Sequence, residues 1–297
     1  MNYLEDYYSN YNEEGRLLSQ HGQVEYRTTM KYIREALAGD KTKRILEVGA
    51  GTGRYSVTLA KEGFSVTAVE LVAHNLEILK SKLDGTEDIT ALQGNALDLS
   101  RFPDESFDLT LVLGPLYHLY TKEDKLQALS EAARVTKPGG ILMVAYYMNE
   151  ATVIQYVFGL NKLRILSEAA RVTRSGGQIL AAYCMNDATV IQYVFGHSML
   201  REVLAGRKLT EDWRCLSLPQ DLFEMVRTEE IAELDAQLPV KRLKLVATDG
   251  ATNYLRPMID GMDAETFEKW MEFHLITCER QDLIGASNHT LDILEKK

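Results

Sequence analysis

Cysteine is scarce: Cys184, Cys215 and Cys278 are the only three in the 297-residue chain, far apart and outside any metal-ligand spacing. That excludes a disulfide scaffold, gives no cysteine-built metal site and fits a reducing compartment, the cytoplasm by default. Long apolar runs are also missing. The longest, residues 141–148, has eight residues, against about 20 for a membrane span. The start, MNYLEDYYSNY, lacks the basic-then-apolar order of a secretory signal. The expectation is a soluble protein with no membrane partner. Positive charge is in deficit, with 33 Lys and Arg against 43 Asp and Glu for a net −10 at pH 7. Such a field repels phosphate backbones, so no nucleic-acid partner is favoured. What the chain does have is apolar content of 45%, over a length of one large domain or two average ones. That is enough for a full core without staples.

From about residue 43, short β-branched runs alternate with amphipathic stretches. Residues 44–48, 64–71, 89–93 and 107–113 read as strands. In 121–136, Leu126, Leu129 and Ala133 recur at helical spacing, and Lys137-Pro138-Gly139-Gly140 forms a stop before a fifth strand at 141–147. This alternation specifies an α/β fold, with a parallel sheet covered by helices on both faces. Residues 197–237 are helical in pattern without a strand signal, and two late strands, 240–248 and 290–294, surround a long helix at 263–282.

A repeat interrupts this pattern. Residues 125–159 recur as 162–196, offset by 37, with 25 of 35 positions identical. One doubling is a duplication rather than a solenoid. Each unit holds the end of a helix, a Gly-Gly turn, a strand and the start of another helix, so ILMVAYYMN and QILAAYCMN compete for one place in the sheet. The first copy continues from the preceding helix and is expected to take that place. The second is then an added helix or strand packed outside, or an excursion. Removing one copy, for example 160–196, leaves 260 residues and an uninterrupted α/β pattern.

The chemistry-bearing stretch is Ile45-Leu46-Glu47-Val48-Gly49-Ala50-Gly51-Thr52-Gly53-Arg54-Tyr55, a strand running into a GxGxG turn that opens a helix. Such a turn either lets a ligand approach the backbone or is a plain tight turn. Glu70 ends the second strand 17 residues after Gly53, where a carboxylate accepts from the vicinal hydroxyls of a ribose or stands as a surface acid. Glu47 lies inside the first strand among Ile45, Leu46 and Val48, so it requires a cationic or NH-bearing partner, ligand or structural. Gln93-Gly94-Asn95-Ala96-Leu97-Asp98 closes the third strand, as a turn or as an adenine contact. A nicotinamide dehydrogenase prefers GxGxxG, and its third glycine position is Arg54 here.

Residues 43–150 resemble the core of class I S-adenosylmethionine-dependent methyltransferases, in the small-molecule branch that includes the ubiquinone-biosynthesis type. ILEVGAGTGRYS, VTAVEL, GNALDL, FDLTLVLGPLYHL and EAARVTKPGG match in order. The resemblance implies a Rossmann-like, doubly wound, mostly parallel sheet of about seven strands with a helical cap. It divides the chain into a cap (1–42), a cofactor-binding core (43–159), the duplicated segment (160–196), a helical lid (197–238) and C-terminal strands and helix (239–297). It implies an enzyme using S-adenosylmethionine and releasing S-adenosylhomocysteine. Glu47, Gly49, Ala50, Gly51 and Gly53 surround the methionine part, Glu70 holds the ribose, Leu71 and Ala96 flank the adenine, and Leu113 belongs to the same cofactor set. Asn95 stands where the family commonly has Asp, keeping one amide acceptor but no charge.

At the fourth strand the chain has Leu113-Gly114-Pro115-Leu116-Tyr117-His118 rather than the tetrad of exocyclic-amine methyltransferases. The acceptor is therefore expected to be a small molecule methylated at O, N or C. Alternatives are a non-catalytic cofactor-binding or regulatory protein, or a tRNA or protein methyltransferase. Alignment of a nucleophile and removal of its proton are the enzyme's tasks. His118 is the candidate base, or a wall residue, and Tyr117 a substrate contact. The N-terminal tyrosines, Tyr11 among them, with Arg16 form a candidate cap with aromatic surface for a sulfonium, or an ordinary packed helix. His74, His197, His274 and His289 have no ligand spacing, and no metal is expected.

Overall fold

The computed structural model describes residues 18–119, 122–145, 167, 169–171, 173, 175–206, 208–216 and 225–297, with backbone only at Tyr117, Lys122 and Tyr193. Helix α1 (Gln20–Leu37) starts behind Ser19, whose hydroxyl accepts the Gly22 N–H, and ends at Ala38 in the left-handed region with φ 52°. Next come β1 (Arg44–Val48), α2 (Arg54–Lys61), β2 (Ser65–Glu70), α3 (Ala73–Ser81), β3 (Ile89–Gln93), β4 (Phe107–Val112), α4 (Lys122–Val135) and β5 (Thr136–Ala145). The second half contains β6 (Gln178–Cys184), a π-helix at Val190–Gly196, a short helix at Leu200–Ala205, α5 (Thr228–Ala236), β7 (Val240–Ala247), α6 (Ala264–Thr277) and β8 (His289–Lys296).

The described strands form one eight-stranded sheet in the order β3-β2-β1-β4-β5-β6-β8-β7. β1 to β6 pair in parallel, and β8 is antiparallel to both neighbours. Central strands are apolar on both faces, as helices on both sides require. Leu46, Val48, Leu142 and Val144 join one core layer, and Ile45, Leu109, Leu111 and Met143 the other. The helix expected over 263–282 divides, α6 ending at Thr277 and a short helix following at Gln281–Ile284. No helix among the described residues is long and apolar enough to cross a membrane.

The repeat behaves differently from the expectation of one occupied place. Both copies enter the sheet, side by side, which raises the strand number from about seven to eight. Ile141 pairs with Gln178, Leu142 with Ile179, Met143 with Leu180, Val144 with Ala181 and Ala145 with Ala182. Every pair differs by 37, so equivalent residues of the two copies lie next to each other. The reason is that both strands are apolar on both faces. Ile179 and Ala181 join the layer of Leu142 and Val144, and Leu180 that of Met143. A copy packed outside would leave an apolar face and a row of backbone polar groups without partners.

The seam between the copies is imperfect at the sheet's amino edge. The Thr136 hydroxyl donates to the Ala132 carbonyl (2.6 Å) and shares a hydrogen bond with Thr110 Oγ1 on β4 (2.7 Å). Thr173 repeats Thr136, but β5 carries Leu142 at the register position where β4 carries Thr110. The Thr173 hydroxyl is buried without a partner. Thr136, Leu142, Arg171 and Thr173 line a cavity of about 390 Å³ at this seam. Duplication copied the threonine without copying its partner.

Candidate functional site

Parallel strands place their carboxyl ends along one edge, and ligands of open α/β sheets bind there, where the strand order reverses. In this sheet that point lies between β1 and β4, whose neighbours run in opposite sequence directions. The turn leaving β1 is built for close approach. Gly49 has φ +72°, and a Cβ there would sit 2.6 Å from Pro115 Cδ and Cγ. Its N–H and that of Ala50 donate to the Val69 carbonyl at 2.7 and 3.1 Å. Gly53 caps α2 with φ +82°, and a Cβ there would meet Leu79 Cγ at 2.6 Å. Lys82 Nζ donates to the Thr52 carbonyl at 2.7 Å and fixes the outer arc of the turn.

Two acids flank this turn. Glu70 is buried at the end of β2, and its carboxylate accepts from Gly51 N–H (2.7 Å) and Val72 N–H (2.8 Å). These bonds hold the carboxylate plane in one orientation. Glu47 is 2% exposed and accepts a hydrogen bond from Ser56 Oγ, itself buried on α2. Burial pushes the Glu47 carboxyl up to about 8. The Ser56 hydrogen bonds oppose that rise, and the nearby Glu70 charge adds to it.

Glu47, Gly49, Ala50, Gly51, Gly53 and Glu70 thus form one connected unit. Pro115, packed on Gly49, brings the segment after β4 to the same place, with Leu113 half-buried there. Ala96 is buried in the core layer that includes Val69 and Val112, and Leu71 is half-buried. Asn95 is exposed, and its side-chain carbonyl accepts the Leu97 N–H at 3.0 Å, so it also builds its own turn. His118 ends the Pro115–Tyr117 turn, its N–H donating to the Pro115 carbonyl at 3.0 Å. Its imidazole is half-buried, and burial pushes its pKa below the ordinary range. The Tyr117 side chain, Tyr11 and Arg16 lie outside the described residues.

Sequence reasoning missed Ser56 and the packing of Pro115 on Gly49. Ser56 interrupts the apolar face of α2, between Tyr55 and Val57, and that was the available signal. At β7 and β8, buried Asp249 accepts from His289 Nδ1 (2.7 Å), Ser287 Oγ (2.6 Å) and Asn253 Nδ2. A carboxylate 40 residues away therefore satisfies His289. His274 Nε2 lies 3.0 Å from Thr28 Oγ1. Among the described residues, no group of three His, Cys, Asp or Glu side chains is placed to hold a metal ion.

A family model described as a methyltransferase domain matches residues 46–144. The match covers a third of the chain, so it is this segment that is similar to methyltransferase domains. The matched segment carries the turn, both acids and the segment after β4. Similar curated proteins include the putative methyltransferase YqeM of Bacillus subtilis, 35% identical over 34% of this chain and 40% of its own length. O-methyltransferase rstn1 of Aspergillus nomiae is 33% identical over 38% and 50%, and demethylmenaquinone methyltransferase of Tropheryma whipplei is 37% identical over 35% and 42%. The chain thus spans half or less of the length of these relatives. A solved methyltransferase structure from Methanosarcina mazei aligns over 89% of this chain and 96% of its own, with 14% identity and a TM-score of 0.45.

Proposed function

We propose that the whole chain is an S-adenosylmethionine-dependent methyltransferase acting on an O, N or C atom of a small-molecule acceptor. The observation that carries this reading is the anchored Glu70 carboxylate beside a turn that leaves no room for a side chain at Gly49 or Gly53. Such a carboxylate suits a ribose diol, and the Gly49–Gly53 backbone together with buried Glu47 suits a compact cationic group. The cofactor, when bound, supplies an electrophilic methyl on a sulfonium. The chain's own residues then orient a nucleophile, exclude water and remove a proton. His118 fits the last task. Burial keeps its imidazole neutral near pH 7, the form that accepts a proton. Tyr117 is assigned to acceptor contact.

Relatives named as an O-methyltransferase and a demethylmenaquinone methyltransferase support an organic acceptor of modest size. The net charge of −10 opposes binding to nucleic acid. The test is isothermal titration with S-adenosylmethionine, S-adenosylhomocysteine and, as control, NADH. Micromolar binding of the sulfur compounds with none of NADH is expected, followed by turnover of a phenol, quinol or amine in an acceptor panel. A folded sample that binds neither sulfur compound refutes the reading. Binding without turnover across the panel moves it to a non-catalytic cofactor-binding protein.

A further inference from the structure

Among the described residues, no cation is paired with the Glu47 carboxyl. It sits in the middle of the sheet, 2% exposed, between Ala68 on β2 and Leu111 on β4 at the same register level. The groups acting on it are Ser56 from α2, which donates a hydrogen bond, and Glu70 from β2, which carries the same sign of charge. Among the described residues, Glu47 belongs to no ion pair with Lys, Arg or His, whereas Asp292 and Asp235, for example, are paired with Arg242. A buried acid without a counter-charge stays protonated until a cation arrives.

We propose that binding of the cationic cofactor displaces a proton from Glu47, so that the protein exchanges H⁺ for the positive charge of the ligand. The inference rests on the methyltransferase reading and adds a pH dependence to its first step. The balance is simple: the protonated protein and the ligand combine, the Glu47 O–H bond breaks, the proton leaves to solvent, and the carboxylate remains beside the ligand's charge. Ser56 serves both states, since its hydroxyl donates to the same carboxyl oxygen before and after. The neutral resting form fits the burial, because an ionised pair of Glu47 and Glu70 would put two like charges beside one turn. The raised affinity of Glu47 for its proton agrees with this arrangement. Linkage then requires ligand affinity to rise with pH while Glu47 is protonated in the free protein, by tenfold for each proton released per pH unit.

The experiment is titration of the full chain with S-adenosylmethionine between pH 5.5 and 7, where the ligand's own ammonium stays protonated. It is repeated at pH 7 in phosphate and in imidazole, two buffers of different ionisation enthalpy. Close to one proton released and a roughly tenfold gain in affinity per pH unit are expected. Glu47→Gln should remove both, whatever its effect on affinity at pH 7. His118, another group near this edge whose pKa is displaced, is controlled by the same titration of His118→Ala. A slope that survives in Glu47→Gln belongs to His118 or another group and overturns the proposal. A flat wild-type profile with no buffer dependence overturns it without any variant, and this measurement stands if Glu47→Gln fails to fold. Absence of binding by the folded chain overturns the methyltransferase reading itself, which is a different result from pH-independent binding.

Discussion

Replacement of Arg242 by Met tests whether the sheet's far half depends on a buried charge balance. Arg242 lies on β7 and donates from Nε and Nη2 to Asp292 Oδ1 and Oδ2 at 2.9 and 3.0 Å, while Nη2 is 2.5 Å from Asp235 Oδ2. The side chains of Asp292, Asp235 and Arg242 are 0%, 12% and 26% exposed. This is therefore a buried network and not a surface pair worth under about 1 kcal/mol. Removing the cation leaves two carboxyls facing each other out of water, which costs about 3–5 kcal/mol. Burial already pushes both carboxyls up, Asp292 to about 7. A carboxyl whose pKa is higher folded than unfolded favours the fold at low pH and loses that advantage as pH rises through the folded value. The deficit of Arg242→Met should therefore be largest at pH 8. It should shrink on acidification by up to about 1.4 kcal/mol for each pH unit over which the variant holds one extra proton. Urea unfolding followed by tryptophan fluorescence at pH 5.5 and 8 reads the difference, and adding Asp235→Asn and Asp292→Asn should recover most of it. A loss below about 1 kcal/mol, or the same loss at both pH values, would refute the argument.

Two further perturbations probe the turn and the repeat. Gly49 and Gly39 share φ +72°, but a Cβ would meet Pro115 at 2.6 Å in the first and nothing within 4 Å in the second. Gly39→Ala should cost only the backbone penalty of about 1–2 kcal/mol, whereas Gly49→Ala adds about 1–3 kcal/mol of overpacking and weakens S-adenosylhomocysteine binding. Equal melting temperatures for the two variants would sink that reasoning. For the repeat, deleting residues 126–162 leaves the second strand and deleting 146–182 leaves the first, and both should fold and retain ligand binding because β1, β2 and the turn between β1 and α2 are untouched. The first deletion keeps Ala181 opposite Asp292, while the second places Val144 there, beside the Arg242 network. It should be less stable by about 1–3 kcal/mol in urea unfolding, and the reverse order would contradict the register argument.

How far the sequence could be read follows from the range of the interactions. β1 at Arg44–Val48 and β3 at Ile89–Gln93 match their expected limits because local composition and punctuation decide them. The turn was equally legible, since Gly49, Gly51 and Gly53 act through their own backbone. Ser56 was not, because its partner Glu47 is brought to it only when α2 folds back on β1, nine residues earlier. The Asp249–His289 pair was hidden for the same reason at 40 residues. Lys137 to Gly140, expected as a stop between helix and strand, is part of β5, where Thr136 already pairs with Phe107 and the extra residues are absorbed by a register shift.

The duplication marks the limit of pattern reading most sharply. Two near-identical units suggest competition for one slot when the sheet is taken to have a fixed number of places. A parallel sheet has no such number. It grows by any strand that is apolar on both faces, and the repeat supplies one. What decides the outcome is the neighbour each copy meets. The first copy sits between β4 and its own repeat, with Leu142, Met143 and Val144 filling both core layers. The second faces β8, where Ala181 lies opposite the fully buried Asp292 and leaves space for the Arg242 network. The differences between the copies at 178–181 and 141–144 therefore mark two environments, an all-apolar centre and a flank that must admit a buried ion pair. The added strand lies beyond β4 and β5, away from β1 and β2, so the sheet widens without disturbing the turn, Glu47 or Glu70.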